Sequence, residues 1–338
     1  MGKLQTDNTL KEKKPFSVVF SKINVRRNID KYKFVKLMTE ESKRKFEFDV
    51  IDYVSNWNSD TLMYDLSEMG KSSKKQFLDE DLIDNSFYDQ EDGKFVLLNK
   101  NISILINDHD HLNLFIVTPD LSLTKAYNDI EVVENKLGRQ FPYAVSNRYG
   151  YLTSSIKDCG MGMKIYVLLH LYGLVKNEKL EEALKLFTER GYMINEWIYD
   201  TEDKEQKSEY YVISSNLNFG VSEKNLITRF LQGINDLIKF NHESLIEYYN
   251  KNKIKLVDTI FRSYGILKYA HCINYREALE HLSNIRIGLE LELDLPASLN
   301  DLNKSFVQIK DGFVGKLAQE ENIEDDVARA RIIKSNLR

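Results

Sequence analysis

A chain of 338 residues has room for two domains. Hydrophobic residues make up 42% and charged residues 29%, which permits a sizeable core and excludes global disorder. The 47 basic and 52 acidic residues leave a net charge of -5, which argues against a nucleic-acid binder working by bulk electrostatics; two cysteines, Cys159 and Cys272, make neither a disulfide scaffold nor an all-cysteine zinc site.

Residues 1–15 are polar and lack an apolar stretch, so they read as a solvated tail and not as a signal peptide. Ser17 to Phe34 carries a basic cluster, Lys22, Arg26 and Arg27. Thr39 to Ser67 reads as helical, with Phe46, Phe48, Val50, Ile51 and Val54 loosely periodic. Phe95 to Leu98 reads as a strand. Ile102, Ile104 and Ile106 alternate with polar or small breaks, and Leu112, Leu114 and Ile116 repeat the pattern. That period of two predicts two strands joined through Asn107-Asp108-His109-Asp110-His111, the second ending at Pro119-Asp120. Ser122 to Leu137 has apolar residues three or four apart and predicts a helix. Gly160-Met161-Gly162-Met163 is expected to open a buried helix running to Leu174, which places His170 on that helix as a packed histidine. The longest apolar-rich run, Ile165 to Val175, is too short to span a bilayer, so a soluble cytoplasmic protein is expected. Tyr210 to Ile213 reads as a short strand, and Ser222 as the N-cap of a further helix. From Leu256 onward the chain reads as helical, with Asn274-Tyr275-Arg276-Glu277 as a capping box and Ala278, Leu282 and Ile285 on one face. The expected division is a tail at 1–15, one domain at 16–250 and a helical domain at 251–338.

Four stretches, in order and at matching spacing, resemble the ATP:guanido phosphotransferase family. Ile104 to Asn113 resembles its strand motif N-E-E-D-H-L-R. Tyr149-Gly150-Tyr151-Leu152-Thr153-Ser154-Ser155 followed by Gly160-Met161-Gly162-Met163-Lys164 resembles G-Y-L-T-S-C-P-T-N-L-G-T-G-M-R. Ile213-Ser214-Ser215-Asn216 with Gly220-Val221-Ser222-Glu223 resembles I-S-N-Q followed by L-G-x-S-E. Phe20 to Asn28 echoes S-S-R-I-R-L-A-R-N. Arg262-Ser263-Tyr264-Gly265, Leu282 to Gly288 and Arg329-Ala330 resemble the helical domain of bacterial protein arginine kinases. The likeness covers about residues 16–338 and is poor around Asp60 to Phe87 and Asn195 to Ser208. It implies an α+β guanidino kinase (phosphagen kinase-like) fold: a small helical N-terminal lobe, an antiparallel-sheet lobe and a helical C-terminal domain.

Moving a phosphoryl group to a guanidinium needs positive charge around the triphosphate and a carboxylate to orient the guanidinium and take its proton. The resemblance implies ATP and magnesium as cofactors, and places nucleotide contacts at Ser21, Lys22, Asn24, His111, Asn113 and Lys164. Where the family has arginines this chain has Lys22, Asn24, Asn113 and Lys164. Two lysines keep charge without the planar fork, and two asparagines lose the charge. The fifth arginine falls near Trp197 and an accompanying glutamate near Glu202; Arg190-Gly191-Tyr192 sits too far upstream. The family's catalytic Glu-Glu pair becomes Asp108-His109, and its reactive cysteine becomes Ser155. In the helical domain an Arg-Asp pair associated with phosphoarginine becomes Asp325-Asp326, a remnant in which Asp325 would repel phosphate.

Alternate strand residues share a face, so Asp108 to His111 has metal-ligand chemistry, but a loop tip or remnant site outweighs it and no metal is expected. Gly160-Met161-Gly162 alone is a tight turn; the resemblance raises anion binding to an equal reading. Lys22, Arg26 and Arg27 are read as a remnant phosphate patch over a merely solvated face. Phe261, Tyr264, Leu267 and Tyr269 read as core or dimer contacts. The leading expectation is a protein arginine kinase homologue with weak or lost phosphotransfer and a binding or regulatory role. The alternatives are an active kinase using Lys22, Lys164 and Asp108, and a structural dimer. A homodimer through the C-terminal domain is expected. A zinc-containing activator and a Clp-type unfoldase are partners implied by the resemblance alone.

Overall fold

The computed structural model describes residues 16–57, 60–91, 93–197, 208–216 and 220–337. The expected tail and Glu202 lie outside them. Eight strands form one antiparallel sheet: β1 (Val18–Arg27), β2 (Thr61–Asp65), β3 (Lys94–Leu98), β4 (Ile102–Ile106), β5 (Leu112–Thr118), β8 (Met163–His170), β9 (Tyr192–Glu196) and β10 (Tyr210–Ser215). Their order is β2-β3-β4-β5-β1-β8-β10-β9, and β6 (Val145–Ser146) with β7 (Gly150–Tyr151) makes a separate small hairpin. The alternation at 102–106 and 112–116 yields β4 and β5, as expected, with Ile104 opposite Leu114.

The helices are α1 (Glu40–Trp57), α2 (Lys71–Asp79), α3 (Asn85–Tyr88), α4 (Leu123–Gln140), α5 (Tyr172–Lys176), α6 (Leu180–Glu189), α7 (Glu223–Tyr269), α8 (Tyr275–Glu290), α9 (Leu299–Gln308), α10 (Asp311–Glu321) and α11 (Asp325–Asn336). Ser222 caps α7 by accepting from the Asn225 N–H, and Asn274 caps α8 by accepting from the Glu277 N–H. α7 is broken by non-helical backbone at Asn252 (φ -125, ψ 22). Among the described residues no helix is long and apolar enough to cross a membrane.

Two expected elements differ. The helix over Thr39 to Ser67 stops at Trp57, and Thr61 to Asp65 is edge strand β2, paired with β3. Residues 163–170 are strand β8 and not a helix. A short apolar run does not distinguish a buried helix from a buried strand; here β1 and β10 supply hydrogen bonds on both sides. Gly160 to Gly162 is therefore a turn into a strand. His170 ends that strand, buried, with Nε2 2.8 Å from Ser283 Oγ. The helices α1 to α3 come after β1, which itself lies inside the sheet.

One face of the sheet is the main core. Ile23, Val25, Ile104 and Ile165 pack there with Phe46 of α1, Ile130 of α4 and Phe230 of α7. The other face has two apolar ends. At one, Phe95, Leu105 and Phe115 are covered by Leu66, Ile83 and Phe87. At the other, Leu168 and Tyr210 meet Phe306 of α9. The helices after Asn252 have their own core, including Leu256, Ile260, Leu267, Leu282 and Ile333. Buried Arg286 of α8 ties them to the sheet, donating to the carbonyls of Phe16 (2.8 Å) and Val18 (3.3 Å).

Candidate functional site

Between those two apolar ends lies a polar stripe, and strand register defines it. Directly opposed residues of an antiparallel pair project to the same face. Asn24 stands opposite both Phe115 and Lys164; Arg26 stands opposite Asn113; Lys22 stands opposite Tyr166. Lys22, Asn24, Asn113 and Lys164 thus share one face of three adjacent strands, with Arg26 among them. Ser21 does not join them. Its odd position turns it to the core face, where its hydroxyl lies 2.8 Å from Thr118 Oγ1 and 2.5 Å from the Asp120 carbonyl. Arg27 also leaves the expected basic patch. It is buried on the core face, 2.6 Å from Glu134, with its guanidinium 3.5 Å above the Tyr151 ring.

The β4–β5 turn carries Asp108 and His109. Asp110, one residue on, holds the surroundings: its Oδ1 accepts from Asn28 Nδ2 (2.6 Å) and from the Ser154 N–H (2.7 Å). Ser154 Oγ donates to the His109 carbonyl at 2.6 Å, so the 150–155 loop is pinned to the turn. His111 is fully buried. Its Nδ1 accepts from the Ile29 N–H (3.0 Å), which leaves Nε2 protonated and donating to the Lys33 carbonyl (2.9 Å). Burial also pushes its pKa down, so it is a neutral ring that positions the turn, with both nitrogens engaged by backbone.

Asp108 is buried. Ser86 Oγ donates to its Oδ1 at 2.9 Å, and Asn113 Nδ2 approaches its Oδ2 at 3.3 Å. Burial, reinforced by the Asp84 carboxylate, raises the Asp108 pKa. His109 is exposed, its Nδ1 3.6 Å from Asp108 Oδ1. Ser155 begins the short helical turn Ile156–Asp158, and Cys159 Sγ lies 3.8 Å from the carbonyls of Thr153 and Ser155.

That turn delivers Asp158. Its carboxylate lies 2.7 Å from Lys164 Nζ and 3.2 Å from Arg26 Nη1, bridging two cations of the stripe. Gly162 (φ +58) allows the loop to return this closely: a Cβ there would stand 2.7 Å from the Arg26 carbonyl. Lys22 is enclosed on the other side, its Nζ 3.9 Å from the Phe115 ring centroid. Burial pulls its pKa down, while Asp81 and Asp84 act against that. Sequence reasoning missed Asp81, Asp84, Ser86 and Asp158. The first three lie in or beside the stretch where the family likeness was poor. Asp158 stood inside a matched motif, in the place of the motif's asparagine, and that change was the signal available.

The remaining expected positions lie elsewhere. Trp197 follows β9 and packs edge-on against Tyr210 and tilted against Phe306, with ring centroids 5.9 and 5.1 Å away. Arg190 closes α6, and Tyr192 begins β9. Asp325 and Asp326 occupy the first turn of α11, where negative charge suits the helix dipole. Asp326 pairs with buried Arg329, whose Nε and Nη1 also donate to the carbonyls of Ile309 and Ile273.

The family model for the ATP:guanido phosphotransferase C-terminal catalytic domain matches residues 44–244. The chain belongs to the ATP:guanido phosphotransferase family. The model for the protein-arginine kinase McsB C-terminal domain matches residues 253–338. This family member is 28% identical to the protein-arginine kinase of Pelotomaculum thermopropionicum over 326 residues, covering 94% of this chain and 91% of that one. It is 28% identical to that of Halothermothrix orenii over 325 residues, covering 95% and 93%. Among solved structures it resembles lombricine kinase, with a TM-score of 0.57 and 18% identity over 67% of this chain and 66% of that one. The duplicated taurocyamine kinase of Schistosoma mansoni with bound transition state analog components gives a TM-score of 0.60 and 17% identity. That match covers 74% of this chain and 36% of the duplicated one. These two likenesses show the fold.

The family implies ATP, typically with magnesium. The residues at this chain's stripe do not fit a triphosphate. Asn24 and Asn113 carry no charge and are almost wholly buried, and Arg26 and Lys164 beside them already pair with Asp158.

Proposed function

We propose that this family member is a protein arginine kinase homologue with weak or lost phosphotransfer, acting through binding as a regulatory subunit. One observation carries the reading: an internal carboxylate, Asp158, already meets two cations of the polar face, Arg26 at 3.2 Å and Lys164 at 2.7 Å. Phosphoryl transfer relies on uncompensated positive charge to bind the triphosphate and offset the transition state. Here an incoming phosphate would have to displace a carboxylate that the fold holds in place. The rival, an active kinase, needs Lys22 and Lys164 free and Asp108 ionised. Burial opposes the charged form at both Lys22 and Asp108, and Lys164 is already paired.

Titration calorimetry with Mg-ATP tests this, with radiolabelled ATP and an arginine-rich protein substrate alongside. No saturable heat and no acid-labile label are expected. Tight Mg-dependent binding, or turnover on the order of 1–100 per second as for kinases, would overturn it. The proposed assembly is a homodimer through the C-terminal helices. Leu256, Ile260 and Leu267 are already covered within the chain, so a second copy would use the opposite side of α7, where Ile254, Phe261 and Tyr269 are exposed. A zinc-containing activator and a Clp-type unfoldase are the partners the family suggests.

A further inference from the structure

The Asp108 end of the polar stripe is covered by one short segment, residues 80–88, and the far end of the chain holds that segment. Ile83 and Phe87 pack on Phe95, Leu105 and Phe115. Asp81 and Asp84 act on Lys22, and Ser86 donates to Asp108. The segment continues directly from α2. The last residue of α2, Asp79, is buried against the start of α10, some 230 positions later in the chain.

The junction is a reciprocal cap. Asp79 Oδ2 accepts from the Gly312 N–H at 2.6 Å, supplying α10 with the N-terminal acceptor its own N-cap side chain does not provide. In return Lys310, the N-cap residue of α10, donates through Nζ to the Asp79 carbonyl at 2.8 Å, at the C-terminus of α2. Orphan N–H groups and the positive end of one dipole meet a carboxylate; an orphan carbonyl and the negative end of the other meet an ammonium. Lys310, Asp79 and Gly312 are all buried. Gly312 makes the approach possible, since a Cβ there would stand 2.4 Å from the Gln76 nitrogen and 2.7 Å from Gln76 Cα. Further along, Ser72 Oγ lies 3.3 Å from Gln319 Oε1.

We propose that the α2–α10 junction is a latch through which the C-terminal helices hold segment 80–88 shut over the Asp108 end of the polar stripe. Asp79 and Asp84 are five residues apart, at most about 18 Å of extended chain. Displacing α10 therefore removes one anchor of α2, leaving Phe77 against Tyr64 and Phe95, and loosens the constraint on the residues that cover Asp108. Access to the stripe is then set by what engages α10. The inference concerns the cover alone and holds whether or not the stripe binds nucleotide.

The test is hydrogen exchange with mass-spectrometric readout on the full chain and on Gly312→Val, which wedges α10 away from α2. Exchange across 80–88 is expected to rise at least tenfold in the variant, with the central strands β1 and β8 unchanged. A folded Gly312→Val protein with wild-type exchange at 80–88 overturns the proposal. If Gly312→Val fails to fold, Lys310→Met decides. It keeps the aliphatic stem and removes only the Nζ bond to the Asp79 carbonyl, so a threefold or greater rise confined to α2 and 80–88 supports the latch. No rise overturns it.

Discussion

Replacing Asp158 by Asn tests the matched-charge argument most directly, because it removes a charge and preserves the shape. In the folded chain the carboxylate contacts Lys164 at 2.7 Å and Arg26 at 3.2 Å. Those partners are 29% and 18% exposed, so neither pair has the strength of a fully desolvated one. Hydrogen bonds to charged groups contribute roughly 1.5–3 kcal/mol each. Relief of the Asp158 desolvation penalty offsets part of that loss, which leaves an expected destabilisation of about 1–2 kcal/mol, read from urea unfolding. The same change frees two adjacent cations and removes a competing negative charge. Inorganic pyrophosphate, titrated calorimetrically, is therefore expected to bind the Asn variant at least about tenfold more tightly than wild type, a difference of about 1.4 kcal/mol. Adding Lys164→Ala should cancel the gain. Equal pyrophosphate affinity in wild type and in folded Asp158→Asn would refute the idea that Asp158 occupies the position of an anion.

Other expected outcomes follow from single contacts. Arg27→Ala leaves Glu134 buried without its partner and should cost about 3–5 kcal/mol in urea unfolding; a loss under 1 kcal/mol would show that Glu134 finds another partner. The folded-state pKa of Asp108 lies above its unfolded value, so its protonated form favours folding; that contribution is complete below about pH 3.9 and is lost as pH rises through the folded pKa. Asp108→Asn should accordingly gain stability over wild type as pH increases, and an advantage that shrinks with rising pH would contradict the sign. Phe261→Asp places a charge on the exposed side of α7 and is expected to convert a dimer to a monomer by light scattering, with the melting temperature nearly unchanged at low concentration. A wild-type chain that is monomeric at micromolar concentration would end the dimer proposal.

The family and much of the fold were legible along the chain. Ile102 to Ile106 and Leu112 to Ile116 alternate because one face of the sheet is the core, and alternation is a local property. Asp110, Gly162 and Ser222 were visible as motif residues, but only Ser222 acts locally, capping α7 three residues on, while Asp110 and Gly162 serve contacts with distant parts of the chain. Short apolar runs were not legible in the same way. Met163 to His170 reads equally as helix or strand until β1 and β10 stand beside it. Face assignment within β1 also needed the sheet: Lys22, Asn24 and Arg26 point to the stripe, while Ser21 and Arg27 point to the core. Loss of the family's arginines could be read from the sequence, but the fate of the remaining cations could not. Asp158 is 132 residues from Arg26, and Gly312 is 233 residues from Asp79. Such pairs meet only when strand register and helix docking bring them together, and no local pattern encodes a contact formed by tertiary packing.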